Sequence, residues 1–237
     1  MNKIYLSSID STNTYLKENY EKLDNYTFVS TDEQTNGRGR NSRVWKSENG
    51  KNLLFSLLIL DKKLIEDFKE ISILSAYSII QVLEKIGINN LNIKWPNDIY
   101  YKDKKICGIL LEAVTKNKME CLIVGIGLNV NQKEFNDEYL TTPASILNII
   151  NKETDINELK ENIYNQLIEN LEAKKKGNSF YDEISKYDYL KNKEAYALID
   201  DKKTRIKVLG INEDYSLNIE YENINRNIES GEISFHI

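Results

Sequence analysis

Three apolar segments that follow one another between residues 92 and 130 constrain the fold more than any other part of the chain. They cover residues 93–100, 106–113 and 121–130, and only short turns separate them. Such turns join antiparallel neighbours, whereas a parallel pair of strands needs a crossover of a dozen or more residues. The sequence therefore predicts an α+β fold with a mixed, largely antiparallel sheet that is backed by helices.

Apolar periodicity predicts the elements around these strands. The expected strands are 3–6 at an edge, 26–30 with one buried face, and 52–60 fully buried. Asp10 or Ser11 is expected to cap a helix that follows directly. Further helices are predicted from their 3.6-residue spacing over residues 64–86, 143–150, 155–175 and 178–189.

Beyond Lys191 the pattern changes to short alternating strands. They are predicted over residues 194–200, 205–211, 217–221 and 232–237. Strands this short, separated by polar turns, are typical of a small β-barrel-like module. We therefore expect a larger domain over residues 1–189 and a C-terminal β-barrel-like domain over residues 190–237.

Charge and residue usage argue against several classes of function. The chain has 32 Lys and Arg against 37 Asp and Glu, a net charge of −5, so nucleic-acid binding through bulk charge is not expected. No apolar run reaches the length of a membrane span, and the N-terminus lacks the apolar core of a signal peptide. Cys107 and Cys121 lie in apolar, strand-like runs, which favours buried, reduced thiols in a cytoplasmic protein.

Histidine is too scarce for two common kinds of site. The chain holds one histidine, His236, and no Cys-x-x-Cys motif, so neither a structural zinc site nor a histidine-based nucleophilic triad is expected. Any chemistry must therefore use arginine, lysine, carboxylates, backbone amides and a metal that a substrate brings.

Residues 34–45 carry the strongest signal of a binding site. Two glycines alternate with two arginines within this segment, and Trp45 follows them. Glycine allows backbone N–H groups to turn toward a ligand, and arginine adds a planar fork of donors that matches phosphate or carboxylate. We interpret the segment as an anion-binding loop with an indole wall. The alternatives are a mobile, solvated surface loop and an RNA-binding segment.

Polar residues at the ends of predicted elements are further candidates. Ser11, Thr12 and Asn13 either cap a helix or hold a neutral polar group such as a urea, and the residues alone favour the cap. Asn97 and Asp98 follow a proline at the start of a strand, where they either line a site or form a turn.

Lys105 and three glycines complete the candidate site. Lys105 stands at the entry of a strand, and Gly108 within that strand suggests the close approach of a ligand or of backbone. Gly125 and Gly127 form a Gly-x-Gly, but the third glycine and the helix of a dinucleotide-binding fingerprint are missing. We expect these glycines to thin one sheet face and to admit a ligand.

Taken in chain order, these motifs resemble those of the biotin protein ligases, the biotin–[acetyl-CoA-carboxylase] ligases. The resemblance spans nearly the whole chain and is specific, because several weak motifs occur in one order at similar intervals. The matching segments are residues 10–13, Gln34 with 37–40, 94–98, 105–110, 125–129 and 231–234. Departures from the family pattern are Asn41-Ser42, the segment 143–147 and His236, which stands where some members have arginine.

The resemblance implies a class II synthetase-like biotin/lipoate ligase catalytic domain and a two-step reaction. Biotin and MgATP would give biotinyl-5′-AMP and pyrophosphate, and the biotinyl group would then pass to a lysine of the biotin carboxyl carrier domain of a biotin-dependent carboxylase. Because the matching region begins near Met1, the short type without an N-terminal DNA-binding domain is implied. Oligomeric state stays open, with a homodimer as one option.

The resemblance also implies roles for individual residues, and it implies that the 34–45 loop folds over the adenylate when ligands bind. The implied catalytic residues are Lys105, Arg40 and Asp98, with Asp98 open between holding Mg²⁺, orienting Lys94 or Lys105, and helping to deprotonate the incoming lysine. The implied ATP or adenylate contacts are Arg38, Arg40, Trp45, Asn97 and Asn129. The implied biotin contacts are Ser11, Thr12, Asn13, Gln34, Arg38, Gly39, Arg40, Lys105, Gly108, Gly125 and Gly127.

Two other functions are kept as alternatives. A lipoate ligase or octanoyl transferase shares the fold, but its acyl pocket has no need of the polar Ser-Thr-Asn set and Gln34. A non-catalytic nucleic-acid-binding module could use the Gly-Arg loop, although the acidic balance of the chain argues against it.

Overall fold

A computed structural model of the chain describes residues 2–135, 139, 141–199, 202–229 and 235–236. Its strands are β1 (Lys3–Ile9), β2 (Phe28–Gln34), β3 (Asn52–Ile59), β4 (Leu91–Lys94), β5 (Asp98–Tyr101), β6 (Lys104–Thr115), β7 (Met119–Asn129), β8 (Glu194–Ile199), β9 (Lys202–Ile211), β10 (Leu217–Tyr221), β11 (Ile224–Ile228) and β12 (Phe235–His236). Its α-helices are α1 (Thr12–Asn19), α2 (Lys62–Glu66), α3 (Phe68–Lys85), α4 (Ile146–Ile150), α5 (Ile156–Lys175) and α6 (Tyr181–Ile184). Among the helices of this part of the chain, none combines the length and hydrophobicity that a transmembrane span requires.

Seven strands form one sheet in the order β1-β2-β3-β7-β6-β5-β4. Neighbouring strands from β2 to β4 are antiparallel, which confirms the predicted sheet. The predicted edge strand over residues 3–6 is also confirmed as β1, although it extends to Ile9. Strand β1 runs parallel to β2, and a parallel pair needs a crossover connection. Helix α1 supplies that crossover.

Strand β3 is buried on both faces, as predicted for residues 52–60. Leu57 packs in the cluster that includes α3 and α5, whereas Leu58 packs in a second cluster with Leu16 of α1. The prediction that residues 26–30 leave one face exposed was wrong. Helix α1 covers the second face of β2, where Val29 joins the cluster around Leu16.

The helix predicted over residues 64–86 is divided in two: α2 ends just before Asp67 and α3 begins just after it. Asp67 has non-helical torsion angles, with φ −94° and ψ 28°. Its carboxylate lies 3.3 Å from Nζ of Lys174 in the last turn of α5, and Glu70 of α3 lies 2.6 Å from the same ammonium. Asp67 therefore breaks the helix while pairing with α5.

The other predicted helices differ mainly in length. The helix over 155–175 is confirmed as α5. The helix predicted over 143–150 begins only after Ser145, since Ser145 and Asn148 form a capping box there. The helix predicted over 178–189 is restricted to α6 and a following 3₁₀ turn.

The C-terminal β module is an antiparallel sheet in the order β11-β10-β9-β8-β12. The sequence did not predict β11. A two-residue turn joins it to β10, and both turn residues, Glu222 and Asn223, have positive φ (51° and 63°). Turns of this kind usually carry glycine, so this one gives a weak sequence signal.

The closing strand predicted over residues 232–237 is described only in part. Phe235 and His236 pair with β8, while residues 230–234, including the segment 231–234 of the family resemblance, lie outside the described residues. Apolar side chains of the module, Val208 and Ile219 among them, belong to the same core cluster as α3 and α5. The boundary between residues 189 and 190 stays a prediction.

Both cysteines are buried and free, as predicted. Cys107 lies in β6 and Cys121 in β7. Burial raises the pKa of both thiols, so they stay protonated at neutral pH and pack as small apolar side chains.

Trp95 joins the C-terminal module to the hairpin of β4 and β5. The side chain is buried, and its indole Nε1 donates to the backbone oxygen of Tyr215 at 2.9 Å. The next residue, Pro96, follows a cis peptide bond, and its carbonyl accepts from Ser72 of α3 at 3.2 Å. The module and α3 thus hold the segment that leads to Asn97.

Replacing Trp95 with phenylalanine should destabilise the protein. The Tyr215 carbonyl would lose its donor in a buried setting, which costs about 1–3 kcal/mol in the free energy of unfolding. Urea unfolding measures the change, and Tyr196→Phe, at an exposed side chain of β8, is the control. Equal unfolding midpoints for the two variants would contradict this account.

Candidate functional site

A cavity of about 830 Å³ lies against the sheet face that also carries α1. On β7 that face presents Cys121 and Ile123 to α1 and then Gly125 and Gly127 to the cavity. The helix therefore covers one half of the face and the cavity occupies the other half. The structure brings the sequence-predicted site residues to this cavity: its lining includes Ser11, Thr12, Asn13, Gln34, Arg38, Gly39, Arg40, Trp45, Asn97, Asp98, Lys105, Gly108, Gly125, Gly127 and Asn129.

Uncharged polar groups at the start of α1 form one end of the cavity. Ser11 is the N-cap, as predicted, and its hydroxyl accepts weakly from the backbone N–H of Thr14 (3.5 Å). Gln34 Oε1 accepts from the backbone N–H of Thr12 at 2.9 Å and lies 3.1 Å from the Thr12 hydroxyl. Because this oxygen is bonded to Thr12, the Nε2 donors of Gln34 are the groups left for a ligand.

The amide of Asn13 is held by three protein groups. Its Nδ2 donates to Glu112 Oε2 (2.8 Å) and to the Leu110 carbonyl (3.4 Å), and its Oδ1 accepts from the buried hydroxyl of Ser56 (2.5 Å). Both amide hydrogens are used, so one remaining acceptor site on Oδ1 is the only capacity that Asn13 has left for a ligand.

The three predicted glycines make room for side chains of the protein itself. A Cβ on Gly125 would lie 2.2 Å from Oδ1 of Asn13, and a Cβ on Gly127 would lie 2.6 Å from the indole of Trp45. A Cβ on Gly108 would lie 2.9 Å from the same indole. The sheet face is thinned as predicted, but Asn13 and Trp45 occupy the space; direct ligand contact by the glycines stays a prediction.

Trp45 and Asn129 line the cavity, and each has a buried polar atom without a partner among the described residues. Neither Nε1 of Trp45 nor Oδ1 of Asn129 has a hydrogen-bond partner in the described part of the chain. Asn129 is anchored through Nδ2, which donates to the Ala144 carbonyl at 3.1 Å. Buried donors and acceptors are rarely left unpaired, but both atoms are shielded from solvent, and Nε1 of Trp45 packs against Gly127.

The Gly-Arg loop is folded across the cavity as a small hairpin. The N–H of Trp45 donates to the Gly37 carbonyl (2.9 Å), and the N–H of Gly39 donates to the Arg43 carbonyl (2.7 Å). Asn41 makes the turn with φ 56°. The loop is therefore ordered in this structure, and its predicted folding on ligand binding stays a prediction.

Two arginines of the loop are tied to the sheet. Arg38 forms an ion pair and hydrogen bond with Glu112 of β6, and Arg40 Nη1 donates to Asn97 Oδ1 at 3.1 Å. Burial lowers the pKa of the Arg40 guanidinium, while the charge of Asp98 opposes that shift. Arg40 stays cationic at neutral pH because an arginine pKa starts so high.

Lys105 and Asp98 form the ion pair at the centre of the cavity wall. Nζ of Lys105 lies 2.8 Å from Oδ1 of Asp98, and the two side chains are only partly exposed. The backbone of Lys105 is held by the segment alongside: its N–H donates to the Thr142 carbonyl and its carbonyl accepts from Ala144. Asp98 is thus placed where it could orient Lys105, and the choice among its alternative roles stays a prediction.

The cavity is strongly cationic although the chain is acidic. Its lining includes two carboxylates, Asp98 and Asp103, and six cationic side chains, Arg38, Arg40, Arg43, Lys46, Lys94 and Lys105. This surplus contrasts with the net charge of −5 and favours a polyanionic ligand. Within the described residues, no three His, Cys, Asp or Glu side chains are grouped as metal ligands.

Several site residues escaped the sequence analysis. Ser56 and Glu112 fix Asn13, and Tyr100, Asp103 and Tyr189 line the cationic end of the cavity. A lone serine inside the apolar run 52–60 was a usable signal for Ser56. Glu112 carried none, since its partner Arg38 is 74 residues away.

The fold and the cavity define an enzyme class. A neutral hydrogen-bonding end, a central lysine and a cationic end under an arginine loop suit the joining of a carboxylic acid to a nucleotide. The chain belongs to the Biotin/lipoate A/B protein ligase family, which it matches over residues 5–129.

Solved structures and curated proteins agree with this assignment. The chain is 32% identical to a biotin protein ligase from Aquifex aeolicus in complex with biotin and ATP, with a TM-score of 0.88 over 99% of this chain and 98% of that one. It is 37% identical to the bifunctional ligase/repressor BirA of Bacillus subtilis over 51% of this chain, which corresponds to 38% of that relative's length. It is 29% identical to Escherichia coli BirA over 97% of this chain and 72% of that protein.

Glu112→Gln should loosen the Gly-Arg loop. The amide can still accept from Asn13, but the charge that holds Arg38 is lost, and such a partly exposed pair contributes about 0.2–1 kcal/mol. Hydrogen exchange at the amides of Gly39 and Trp45 should therefore quicken about two- to five-fold. Glu33→Gln, at a carboxylate that bonds Ser8 at the sheet edge, is the matched control, and unchanged loop exchange in Glu112→Gln would refute the tether.

Proposed function

We propose that the protein is an ATP-dependent ligase that activates biotin as biotinyl-5′-AMP and transfers the biotinyl group to a lysine of a biotin carboxyl carrier domain. The observation that carries this proposal is one cavity whose lining combines uncharged hydrogen-bonding groups with six cationic side chains. The Aquifex aeolicus structure in complex with biotin and ATP, whose chain is matched over 98% of its length, supports both substrates.

The neutral end suits the uncharged ureido ring of biotin. Gln34 offers Nε2 donors, and Asn13 and Thr12 each offer an acceptor position, because the Thr12 hydroxyl donates its hydrogen to Ser56. None of these groups is ionised, and a neutral heterocycle gains little from a charged partner whose burial is costly. The acyl chain would then lie beside Trp45, with its carboxylate near Lys105.

The first step joins the biotin carboxylate to AMP. A carboxylate oxygen attacks the α-phosphorus of MgATP and forms an O–P bond, while the bond from that phosphorus to the bridging oxygen breaks and its electron pair leaves with pyrophosphate. Arg38, Arg40 and Lys105 draw the two anionic reactants together and stabilise the charge on the phosphoryl oxygens. Asp98 acts by positioning Lys105.

The second step transfers the acyl group to the carrier. The neutral amine of the carrier lysine attacks the carbonyl carbon, a C–N bond forms, and the C–O bond of the mixed anhydride breaks so that AMP leaves. The lysine nitrogen loses a proton, and Asp98, the carboxylate beside Lys105, is the proposed acceptor in addition to its positioning role. Lys105 stabilises the developing oxyanion, as it stabilised charge in the first step.

Mg²⁺ enters as part of MgATP. Magnesium in such sites is held largely by phosphate oxygens and water, with one or two protein carboxylates. Asp98 and Asp103 both line the cavity, so the residues present fit a substrate-borne ion. The proposed compartment is the cytoplasm, and a homodimer stays a prediction.

Mass spectrometry of a carrier domain after incubation with biotin, MgATP and this protein tests the function. A biotinyl adduct on one lysine is expected. ATP–pyrophosphate exchange should respond to biotin and not to lipoate, because lipoate has no ureido group for Gln34 and Asn13. Exchange driven by lipoate alone would replace the proposal with the lipoate ligase alternative.

Replacing both Arg38 and Arg40 with alanine should slow carrier biotinylation by at least about 10²-fold, since removal of one preorganised donor to a developing anion already costs that much. Initial rates of carrier labelling measure the loss. Arg205→Ala, on the exposed face of β9, removes a cation that pairs only with Glu194 among the described residues, and should retain the native rate. A native rate in the double variant would refute the assigned role.

Ligands should further protect the Gly-Arg loop. If the loop closes over the adenylate and excludes water from the anhydride, hydrogen exchange over residues 37–45 should slow when biotin and MgATP are both added. Strand β3, which is buried without ligand, serves as the internal reference. Equal loop exchange with and without ligands would refute closure.

A further inference from the structure

Lys94 is a cavity-lining cation that the mechanism above does not use. It ends β4, and its Nζ lies 3.4 Å from the hydroxyl of Tyr100 and 5.2 Å from the centre of that ring. Among the ion pairs of the described residues, none gives Lys94 a carboxylate partner within 4.0 Å. A partly buried ammonium without a counterion is costly unless an anion binds beside it.

The surroundings of Lys94 are themselves cationic. Burial lowers its pKa, and the charges of Lys105, Lys193 and Arg43 act in the same direction, against the opposing charge of Asp98. Lys94 therefore contributes to a concentration of positive charge that Asp98 alone does not neutralise. Such a group of cations suits a ligand with more than one negative charge.

Strand order sets the distance of Lys94 from the neutral end. Gln34 lies on β2, Lys105 on β6, Asp98 on β5 and Lys94 on β4, and these strands occur in that order across the sheet. Lys94 and Asp98 are cross-strand partners. Neighbouring strands lie about 4.8 Å apart, so β4, which ends in Lys94, lies about 10 Å beyond β6 across the sheet, on the side away from Gln34.

The leaving group of the first step departs in that direction. The attacking and leaving oxygens are roughly in line at the α-phosphorus. If the biotin carboxylate approaches from the neutral end, pyrophosphate leaves toward the β5–β4 edge. There it meets Lys94, beside which the rings of Tyr100 and Tyr189 pack at a tilt of 32°, with 4.9 Å between ring centres.

We propose that Lys94 binds the β- and γ-phosphates of ATP and the pyrophosphate that they become. This inference rests on the proposed function and deepens it, because it assigns different roles to Lys105 and Lys94. Lys105 serves both steps at the reacting centre. Lys94 serves only the step in which pyrophosphate is a reactant or product.

The test compares Lys94→Gln with Lys94→Arg and with Lys104→Gln. Lys104 is exposed on β6 and does not line the cavity, so Lys104→Gln is the charge-matched control. Three quantities are measured: the affinity for inorganic pyrophosphate by titration calorimetry, the rate of biotin-dependent ATP–pyrophosphate exchange, and the rate of carrier labelling from preformed biotinyl-5′-AMP.

Lys94→Gln should weaken pyrophosphate binding about 10- to 100-fold, the range for a hydrogen bond to a charged group. It should slow exchange similarly, while labelling from preformed biotinyl-5′-AMP keeps its native rate. Lys94→Arg should recover part of the affinity, and Lys104→Gln should behave as the native protein. Retained labelling from the adenylate also shows that the Lys94→Gln variant is folded.

Three results would overturn the inference. They are native pyrophosphate affinity in Lys94→Gln, undetectable pyrophosphate binding by the native protein, and equal loss in both half-reactions, which would give Lys94 a structural role through Asp98. Failure of the proposed function has a different signature: the native protein would bind pyrophosphate but form no adenylate from biotin.

Discussion

The ion pair between Lys105 and Asp98 is the interaction on which the rest of the site depends. It joins β5 to β6 at the middle of the cavity wall, where the two side chains are only partly exposed and lie 2.8 Å apart. Without Asp98, the ammonium of Lys105 would face Lys94 and the loop arginines with no fixed counter-charge. The hairpin of β4 and β5, held at Trp95 and Pro96 by the C-terminal module and α3, places Asp98 there.

The order of the strands sets the positions of the groups that line the cavity, from one edge of the sheet to the other. Uncharged donors and acceptors lie near β2, Trp45 packs on the glycines of β6 and β7, and Lys105 and Lys94 stand farther across the sheet on β6 and β4. A chain with a net charge of −5 thus carries a local surplus of positive charge in the region where phosphate would lie. This local surplus explains why the net charge of the chain was a poor guide to the ligand.

Sequence reasoning succeeded where local pattern and final structure coincide. Continuous apolar runs predicted β3, β6 and β7, and 3.6-residue spacing predicted α5. It failed where distant contacts decide the outcome. The second covered face of β2 depends on α1, and the helix break at Asp67 accompanies a contact with Lys174 of α5. The roles of Ser56 and Glu112 exist only once β3, β6, α1 and the loop meet. Local periodicity depends only on residues close in the sequence and cannot predict such contacts.

One bonding chain described above has a thermodynamic consequence. Ser56, Asn13, Glu112 and Arg38 form a continuous series from the neutral end to the loop, and both Nδ2 hydrogens of Asn13 are already engaged. A ligand that displaces the Asn13 amide weakens the hydrogen bond from Nδ2 to Glu112. The ion pair between Glu112 and Arg38 then changes as well. By linkage the effect is reciprocal. An anion that binds Arg38 therefore changes the affinity of the neutral end for its ligand. We therefore expect ligand binding at the neutral end and anion binding at the loop to be energetically coupled through these four side chains.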